Sequence, residues 1–326
     1  MKALERLVEH IANRVAINLR NRPVSVRACI KESLPLDHRA LYYAFYALSA
    51  NHPVHLEFQH SNLAGSYFLG KCEVERSVLY KTDVRGDELK HKGDIVKLEQ
   101  GEVQLYTDEV IAIRHSALVK TLVHNHTHDP ENLERFDIVN TLALHYANIH
   151  GSPVVGCFLG PFATVDLSVC HHCVIGEFGY VQTPDLSNMN VEPGRIWIKY
   201  PGLFEFNYVH DPKKLAPYIS LDKNSKPHGI LMDFFEDRKE DFVPIYSSVQ
   251  PELDIDIPKN AFVSPYAVIK GNCSIGEKVL VAQRAYIENS TLGPGANAQE
   301  HCYIINSVYE GDNITAHGGK VIYCTM

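Results

Sequence analysis

The chain has 326 residues, and its 45% hydrophobic and 21% charged residues are an ordinary balance for a globular protein. A formal net charge of -8 without a basic block argues against a nucleic-acid partner. No apolar run approaches the roughly 18 residues of a membrane span, so no membrane partner is expected. Acidic residues within the first apolar stretch are unlike a signal peptide, and the eight cysteines form no secreted framework. We therefore expect a cytoplasmic protein with reduced thiols.

Residues 1–63 are predicted to form a helical N-terminal region. Over residues 2–19, apolar side chains recur on one helical face, at Leu4, Leu7, Val8, Ile11 and Val15. A second helix is expected from Asp37, which follows Pro35 as a good N-cap, through the tyrosine-rich stretch of residues 41–48. Neither segment carries the repeat that dominates the rest of the chain.

An interrupted period of six residues runs through the middle of the chain. It joins three short series, which are Cys72, Val78 and Val84, then Ile138, Leu144 and His150, then Leu159 and Val165. Glycines punctuate these series and indicate turns. Residues 64–183 are therefore predicted to be a first β-helical stretch. Residues 184–250 lose the period and are predicted to be a non-repeat insertion or linker.

The period of six is clearest near the C-terminus, within residues 251–326. Six aliphatic residues follow without a break, at Ile257, Val263, Ile269, Ile275, Val281 and Ile287. A helix would repeat at three and four, and a simple strand at two. A period of six fits a prism with three flat sides, whose stacked coils share one core. The sequence thus predicts a mainly β chain, with two stretches of parallel β-helix, N-terminal α-helices and an insertion.

The segment from Ser77 to Asp87, which ends in Arg85-Gly86-Asp87, makes a more specific resemblance. It is similar to an early coil of the γ-class carbonic anhydrases, within the hexapeptide-repeat superfamily. The resemblance implies a left-handed β-helix, a homotrimer and a small-molecule substrate. It also implies that Arg85 and Asp87 form an ion pair between subunits beside a metal site.

His145 and His150, followed by Gly151, resemble the paired metal-binding histidines of the same family. With one hexapeptide per side, residues five apart lie near neighbouring corners, so a trimer is needed to bring both to one metal. The resemblance implies a third ligand from an earlier coil, and His124 and His126 are the candidates. Three imidazoles and an open position suit zinc, or another divalent transition metal, whose bound hydroxide would hydrate carbon dioxide. The Asn and Gln that the family places before its first metal histidine are missing from residues 113–124.

The histidine-rich run from His124 to Asp129 supports an alternative function. It resembles the loop of hexapeptide acyltransferases, in which a histidine acts as general base on an acceptor that attacks a coenzyme A thioester. His126 or His128 would be that base, and Asp129 could orient its ring. A non-catalytic scaffold that retains the site is a third possibility.

Cys170-His171-His172-Cys173 has the spacing of a metal or redox motif. A structural zinc site would need a second pair of ligands nearby, and cysteines also recur at the small-residue position of other coils. We therefore predict that Cys170 and Cys173 serve packing.

Overall fold

The computed structural model describes residues 2–20, 22–41, 43–47, 55–129, 131, 133–221, 227–246, 253–315 and 318–326. The chain divides into two compact units, Met1–Ile230 and Leu231–Met326. Each unit is described by itself. No helix in the described ranges combines the length and the apolar character needed to cross a membrane.

The described part of the N-terminal region forms the helices α1 Lys2–Asn18, α2 Val26–Ser33 and α3 Leu36–Arg39. Helix α1 confirms the prediction for residues 2–19, and Ile11 and Val15 of its apolar face are fully buried. The second predicted helix is wrong, because α3 ends after four residues and Phe45–Tyr46 form a strand. This strand pairs in parallel with residues 67 and 68, so tertiary hydrogen bonding overrides the local helical pattern. Helix α2 was not predicted.

Short strands make up most of the first unit. In chain order they are β1 Phe45–Tyr46, β2 Leu56–Gln59, β3 Tyr67–Gly70, β4 Cys72–Glu75, β5 Val78–Tyr80, β6 Asp83–Gly86, β7 Ile95–Leu98, β8 Gly101–Gln104, β9 Ile111–Arg114, β10 Ala117–Val119, β11 Leu122–His124, β12 Phe136–Val139, β13 Leu142–Ala143, β14 Asn148–His150, β15 Val154–Val155, β16 Phe158–Leu159, β17 Thr164–Asp166, β18 Val169–His171, β19 Val174–Ile175, β20 Tyr180–Gln182, β21 Asp185–Ser187, β22 Asn190–Val191, β23 Arg195–Tyr200, β24 Phe204–Val209, β25 Ser220–Leu221 and β26 Pro227–His228. Helix α4 spans Pro212–Leu215.

Three parallel sheets form the sides of the first β-helix. The nine-stranded sheet has the order β1-β3-β6-β11-β14-β17-β20-β23-β24, the seven-stranded sheet β2-β4-β9-β12-β15-β18-β21, and the six-stranded sheet β5-β10-β13-β16-β19-β22. Only the last pair of the nine-stranded sheet, β23 and β24, is antiparallel. Each coil therefore places one strand in each sheet, as the period of six predicts.

The core of this unit consists of aliphatic side chains stacked from coil to coil. In the nine-stranded sheet, Val84, Val123, Ile149, Val165 and Val181 align in register, and each is fully buried. Burial of such a column removes apolar surface from water at each coil, and each coil depends on its neighbours.

The N-terminal helices cover the outer side of the six-stranded sheet. Buried residues of α1 and α2 pack against the outward side chains of Val78, Tyr80 and Leu142. This sheet is consequently apolar on both faces, whereas the outer face of the nine-stranded sheet carries polar side chains.

The β-helix extends past residue 183 into the predicted insertion. Strands β21, β22 and β23 continue the three sheets in register. Their inward residues are Leu186, Val191 and Trp197, and the bulky Trp197 hides the period from a search for repeated aliphatics.

The second unit repeats the architecture on a smaller scale. It contains α5 Ile230–Glu236, a 3-10 helix at Glu240–Phe242 and α6 Val243–Tyr246, and then the strands β27 Phe262–Val263, β28 Val268–Lys270, β29 Ser274–Ile275, β30 Leu280–Val281, β31 Tyr286–Glu288, β32 Thr291–Leu292, β33 Asn297–Ala298, β34 Tyr303–Ile305, β35 Val308–Tyr309, β36 Ile314–Thr315 and β37 Lys320–Ile322. Three parallel sheets result, β27-β30-β33-β36, β28-β31-β34-β37 and β29-β32-β35. Ile275, Val281 and Ile287 lie in the core of this β-helix, as their spacing predicts.

Candidate functional site

A column of polar side chains lies on the outer face of the nine-stranded sheet. Arg85, His124, His150 and Asp166 align in register on β6, β11, β14 and β17. Their neighbours in the chain point into the core, and side chains alternate along a strand. The alternation that builds the core therefore directs these four side chains outward.

The loop after β11 carries two more histidines to this column. Asn125 is buried and accepts a hydrogen bond from the backbone N–H of Ser152 at 3.0 Å. Thr127 is also buried; its hydroxyl donates to Glu109, and its carbonyl accepts from Lys90 Nζ at 2.9 Å. With the odd-numbered residues fixed inward, His126 and His128 project on the side of the loop that faces β14.

Four imidazoles and one carboxylate meet at this point. Ring centroids are 5.3 Å apart for His124 and His150, 3.9 Å for His126 and His128, and 4.8 Å for His128 and His150. Glu88 Oε2 lies 3.1 Å from His124 Nε2 and 3.2 Å from His126 Nδ1. One ligand atom from each of His126, His128 and His150 lies within 4.8 Å of the others, as do atoms of Glu88, His124 and His126. The donor set suits a divalent transition metal that prefers imidazole.

His150 is oriented by a carboxylate of the next coil. Its Nδ1 lies 2.7 Å from Asp166 Oδ1, and Tyr180 donates its hydroxyl to Asp166 Oδ2 at 2.5 Å. Burial alone would raise the pKa of Asp166, but the hydrogen bonds from His150 and Tyr180 outweigh it and lower the pKa. Because a carboxylate only accepts, the imidazole carries its proton on Nδ1 and leaves Nε2 as the basic nitrogen.

Two neighbouring imidazoles, those of His126 and His128, have lowered pKa values, which favour the neutral form. Burial lowers the pKa of His126, and the nearby His128 lowers it further. The pKa of His128 is lowered by burial and then by His150, although His128 is the most exposed of the three. A neutral imidazole can accept a proton or bind a metal, so both predicted functions are chemically open to this cluster.

Comparison with known proteins supports the repeat architecture. The family model for the hexapeptide repeat including loop matches residues 101–223. A crystal structure from Desulfovibrio desulfuricans G20, of a protein provisionally named an acetyltransferase, is 50% identical with a TM-score of 0.86, and the match covers 99% of this chain and 70% of that chain. The chain belongs to the hexapeptide-repeat superfamily. A search of curated proteins found no match.

In this hexapeptide-repeat protein, Arg85 and Asp87 bind each other within one chain. Arg85 Nε donates to Asp87 Oδ1 at 2.9 Å, and a second bond joins Nη2 to Oδ2. Burial would raise the pKa of Asp87, but the guanidinium outweighs it and lowers the pKa. The pair lies at one end of the polar column, and its predicted role between subunits remains a prediction.

His145 does not join the histidine cluster within one chain. It is only 7% exposed, and burial, with smaller contributions from Lys120 and His38, lowers its pKa to about 3. His38 belongs to α3 and stacks on Tyr80 at 4.2 Å, so the N-terminal region lies over this corner of the prism. A metal ligand must be accessible to a partner subunit, and the burial of His145 argues against that predicted role.

Within the described residues, the hydrogen bond of Asp129 goes to the loop backbone and not to a histidine, unlike the arrangement that the sequence suggested. It is exposed and accepts a hydrogen bond from the backbone N–H of Glu131 at 2.9 Å. Asp166 performs the orienting role instead. Neither Asp166 nor Glu88 was predicted from the sequence. Asp166 follows His150 by sixteen residues, the spacing of one coil in this part of the chain, and that spacing was the available signal.

The cysteines of the Cys170–Cys173 motif are fully buried in the core of the first β-helix. Sγ of Cys173 donates to the carbonyl of Leu186 at 3.1 Å, and its backbone N–H donates to Cys157 Sγ at 3.3 Å. The prediction that these cysteines serve packing is confirmed.

Proposed function

We propose that this hexapeptide-repeat protein is an acyltransferase that transfers an acyl group from a coenzyme A thioester to a hydroxyl or amine of a small molecule. The observation that carries the proposal is the provisional acetyltransferase name of a protein that is 50% identical over 99% of this chain. The oriented imidazole at the histidine cluster supports it on chemical grounds.

His150 is the general base in this proposal, and Asp166 is its positioning residue. Nε2 of His150 removes the proton of the acceptor as the acceptor attacks the thioester carbonyl. A new bond forms between the acceptor and the acyl carbon, the carbon–sulfur bond breaks, and the proton passes from the imidazole to the leaving thiolate. The 2.7 Å contact with Asp166 stabilises the imidazolium that exists between these two proton transfers. His126 and His128 remain candidates for the same role, and Asp129 does not orient either of them in the contacts above.

The test is thiol release from acetyl coenzyme A with a panel of amine and hydroxyl acceptors, together with calorimetric binding of coenzyme A. The variant His150→Gln should lower turnover by roughly 10²- to 10⁴-fold, as expected for the loss of a general base. Asp166→Asn should lower kcat and shift the pH profile, because the ring loses its charged partner. His171→Gln is the matched control, since His171 lies on the seven-stranded sheet. If the parent protein neither binds coenzyme A nor releases thiol with any acceptor, the proposal is wrong.

A metal-dependent function is the second candidate, and the ligand atoms within 4.8 Å favour it. His126, His128 and His150 would hold the ion, with Glu88 and His124 beside them. A zinc ion there would supply Lewis-acid activation of water, as the resemblance to γ-class carbonic anhydrases implies. Metal content per chain, measured for the parent and for His128→Ala and His145→Ala, tests it. Loss of metal in His128→Ala alone supports a site within one chain, whereas loss in His145→Ala supports the site between subunits.

The homotrimer implied by the resemblance belongs to the same proposal. Light scattering of the parent protein measures it directly, and a monomer at micromolar concentration would contradict it.

A further inference from the structure

The nine-stranded sheet ends in an unusually open strand. Strand β24 is the last strand in its order, and among the described residues only β23 pairs with it. All six of its residues, Phe204 to Val209, are exposed. One edge of its backbone therefore faces away from the sheet, as a template on which another strand can add.

The side chains of β24 have two different faces. Phe204, Phe206 and Tyr208 alternate along the strand and share one face, where they are 54%, 44% and 50% exposed. On the opposite face, Glu205 accepts from Trp197 Nε1 at 3.1 Å and Asn207 accepts from Arg195 at 2.7 Å. The polar face is thus paired within the hairpin, and the aromatic face is open.

Three usual protections of a sheet edge are absent from β24. Natural edge strands carry lysine, proline or a bulge that discourages pairing. The sequence from 204 to 209 contains no lysine and no proline, and its pairing with β23 is regular over all six residues. Glu205 is its only charged residue. A flat aromatic edge of this length is expected to have a partner strand.

We propose that β24 pairs antiparallel with β24 of a second copy of this chain, around a two-fold axis at Phe206. In this register Phe206 faces its own copy, Phe204 faces Tyr208, and Glu205 faces Asn207. Every aromatic side chain then meets an aromatic partner, and no like charges are opposed, which is the favourable pattern for cross-strand pairs. The nine-stranded sheets of the two copies become one continuous sheet.

Other registers of the same pairing are less favourable. An axis at Glu205 places two carboxylates opposite each other, and an axis at Asn207 moves Phe204 opposite a residue beyond the end of the strand. A slip by one residue turns the aromatic row of one copy to the opposite face from that of the other. Because the contact is the same patch on both copies, it closes on itself and remains compatible with a trimeric β-helix.

Disulfide trapping tests the register. Opposed residues of an antiparallel pair have Cα atoms roughly 4.5 to 5.5 Å apart, within the range of a disulfide. In a Cys324→Ser background, which removes the exposed native thiol, Phe206→Cys should give disulfide-linked dimers under mild oxidation. Phe204→Cys alone should not, whereas a mixture of Phe204→Cys and Tyr208→Cys should give the mixed dimer. Leu203→Cys is the control, since it is 88% exposed and lies outside the strand.

The assembly itself gives a second readout. Phe206→Glu brings two carboxylates together at the axis, so the molecular mass by light scattering should fall by half while the circular dichroism spectrum is retained. The proposal is wrong if Phe206→Glu keeps the parent mass. It is equally wrong if Phe204→Cys or Leu203→Cys forms dimers as readily as Phe206→Cys, because trapping would then report chance encounters.

Discussion

The two β-helices of this protein share one inward pattern and differ in what they present outward. In the first, the outer face of the nine-stranded sheet carries Arg85, His124, His150 and Asp166 in register. In the second, the sheet β27-β30-β33-β36 presents Phe262, Leu280, Asn297 and Ile314 in register, and Phe262 and Ile314 are 56% and 65% exposed. The inward residues build the coil, while the outward residues vary without cost to the core. This difference assigns the candidate chemistry to the first unit.

Each unit also has one sheet covered by helices, and the covered faces are apolar or aromatic. In the second unit, Phe234 of α5 packs on Tyr303 at 5.2 Å, and the Tyr286 hydroxyl donates to Asp241 at 3.0 Å. Burial in this region lowers the pKa of Lys320 to about 8. Ionisable side chains under the helices are thus desolvated or hydrogen-bonded, whereas the outer face of the nine-stranded sheet is open.

The largest losses of stability should follow substitutions in the cores of the two β-helices. Ile149 and Ile304 are fully buried at equivalent inward positions of the first and second β-helix. Replacement of either by Ala should lower the free energy of unfolding of its own unit by about 2 to 5 kcal/mol, because a cavity is left. Differential scanning calorimetry should show Ile149→Ala acting on one transition and Ile304→Ala on the other. A shift of a single common transition by both variants would contradict the independence of the two units.

A smaller contribution to the free energy of unfolding, dependent on pH, is expected from His145. Its pKa is lowered from 6.5 to about 3 by burial, so the unfolded chain binds a proton that the folded chain does not. The stability from this group is present above pH 6.5 and is lost as the pH falls from 6.5 towards 3. His145→Leu should therefore reduce acid destabilisation by on the order of 3 kcal/mol between pH 6.5 and about pH 4. Urea unfolding at several pH values measures this pH dependence, and His171→Leu is the control. If His145→Leu and the parent lose the same stability in acid, His145 is not buried as a neutral imidazole.

The sequence predicted the core better than the site, for physical reasons. Inward positions such as Val281 and Ile287 repeat at a fixed period, so the spacing of aliphatic residues in the sequence reveals them. His126, His128 and His150 were found because they lie in local runs that resemble known motifs. Asp166 meets His150 only through the stacking of coils. His38 of α3, which contributes to the lowered pKa of His145, lies more than a hundred residues earlier in the chain. Such contacts between distant segments have no local signal.

Two glycines, one in each unit, should respond differently to substitution by alanine. Gly151 and Gly271 both have positive φ, 52° and 72°, so Ala at either should cost about 1 to 2 kcal/mol. At Gly151, a Cβ would also lie 2.6 Å from Leu167 and 2.8 Å from the His128 ring, whereas at Gly271 it would meet Asn289. Gly151→Ala should thus lower both stability and thioester turnover, and Gly271→Ala should lower stability alone. Thermal unfolding and thiol release, measured on both variants, test this. Equal turnover of the two variants would mean that His128 has no part in the transfer reaction.

The smallest losses of stability should come from the removal of one basic residue of a surface ion pair in each unit. Arg114 bridges Asp137 at 2.8 Å and Glu73 at 3.2 Å, while Lys270 contacts Asp241 at 3.3 Å. These side chains are between a quarter and about half exposed, so each pair should contribute at most about 1 kcal/mol. Arg114→Met should be the more destabilising of the two, because one guanidinium joins two neighbouring strands, whereas Lys270→Met removes a single flexible contact. Molar salt should abolish the difference by screening. If the difference survives molar salt, Arg114 stabilises the seven-stranded sheet through the packing of its aliphatic stem instead of its charge.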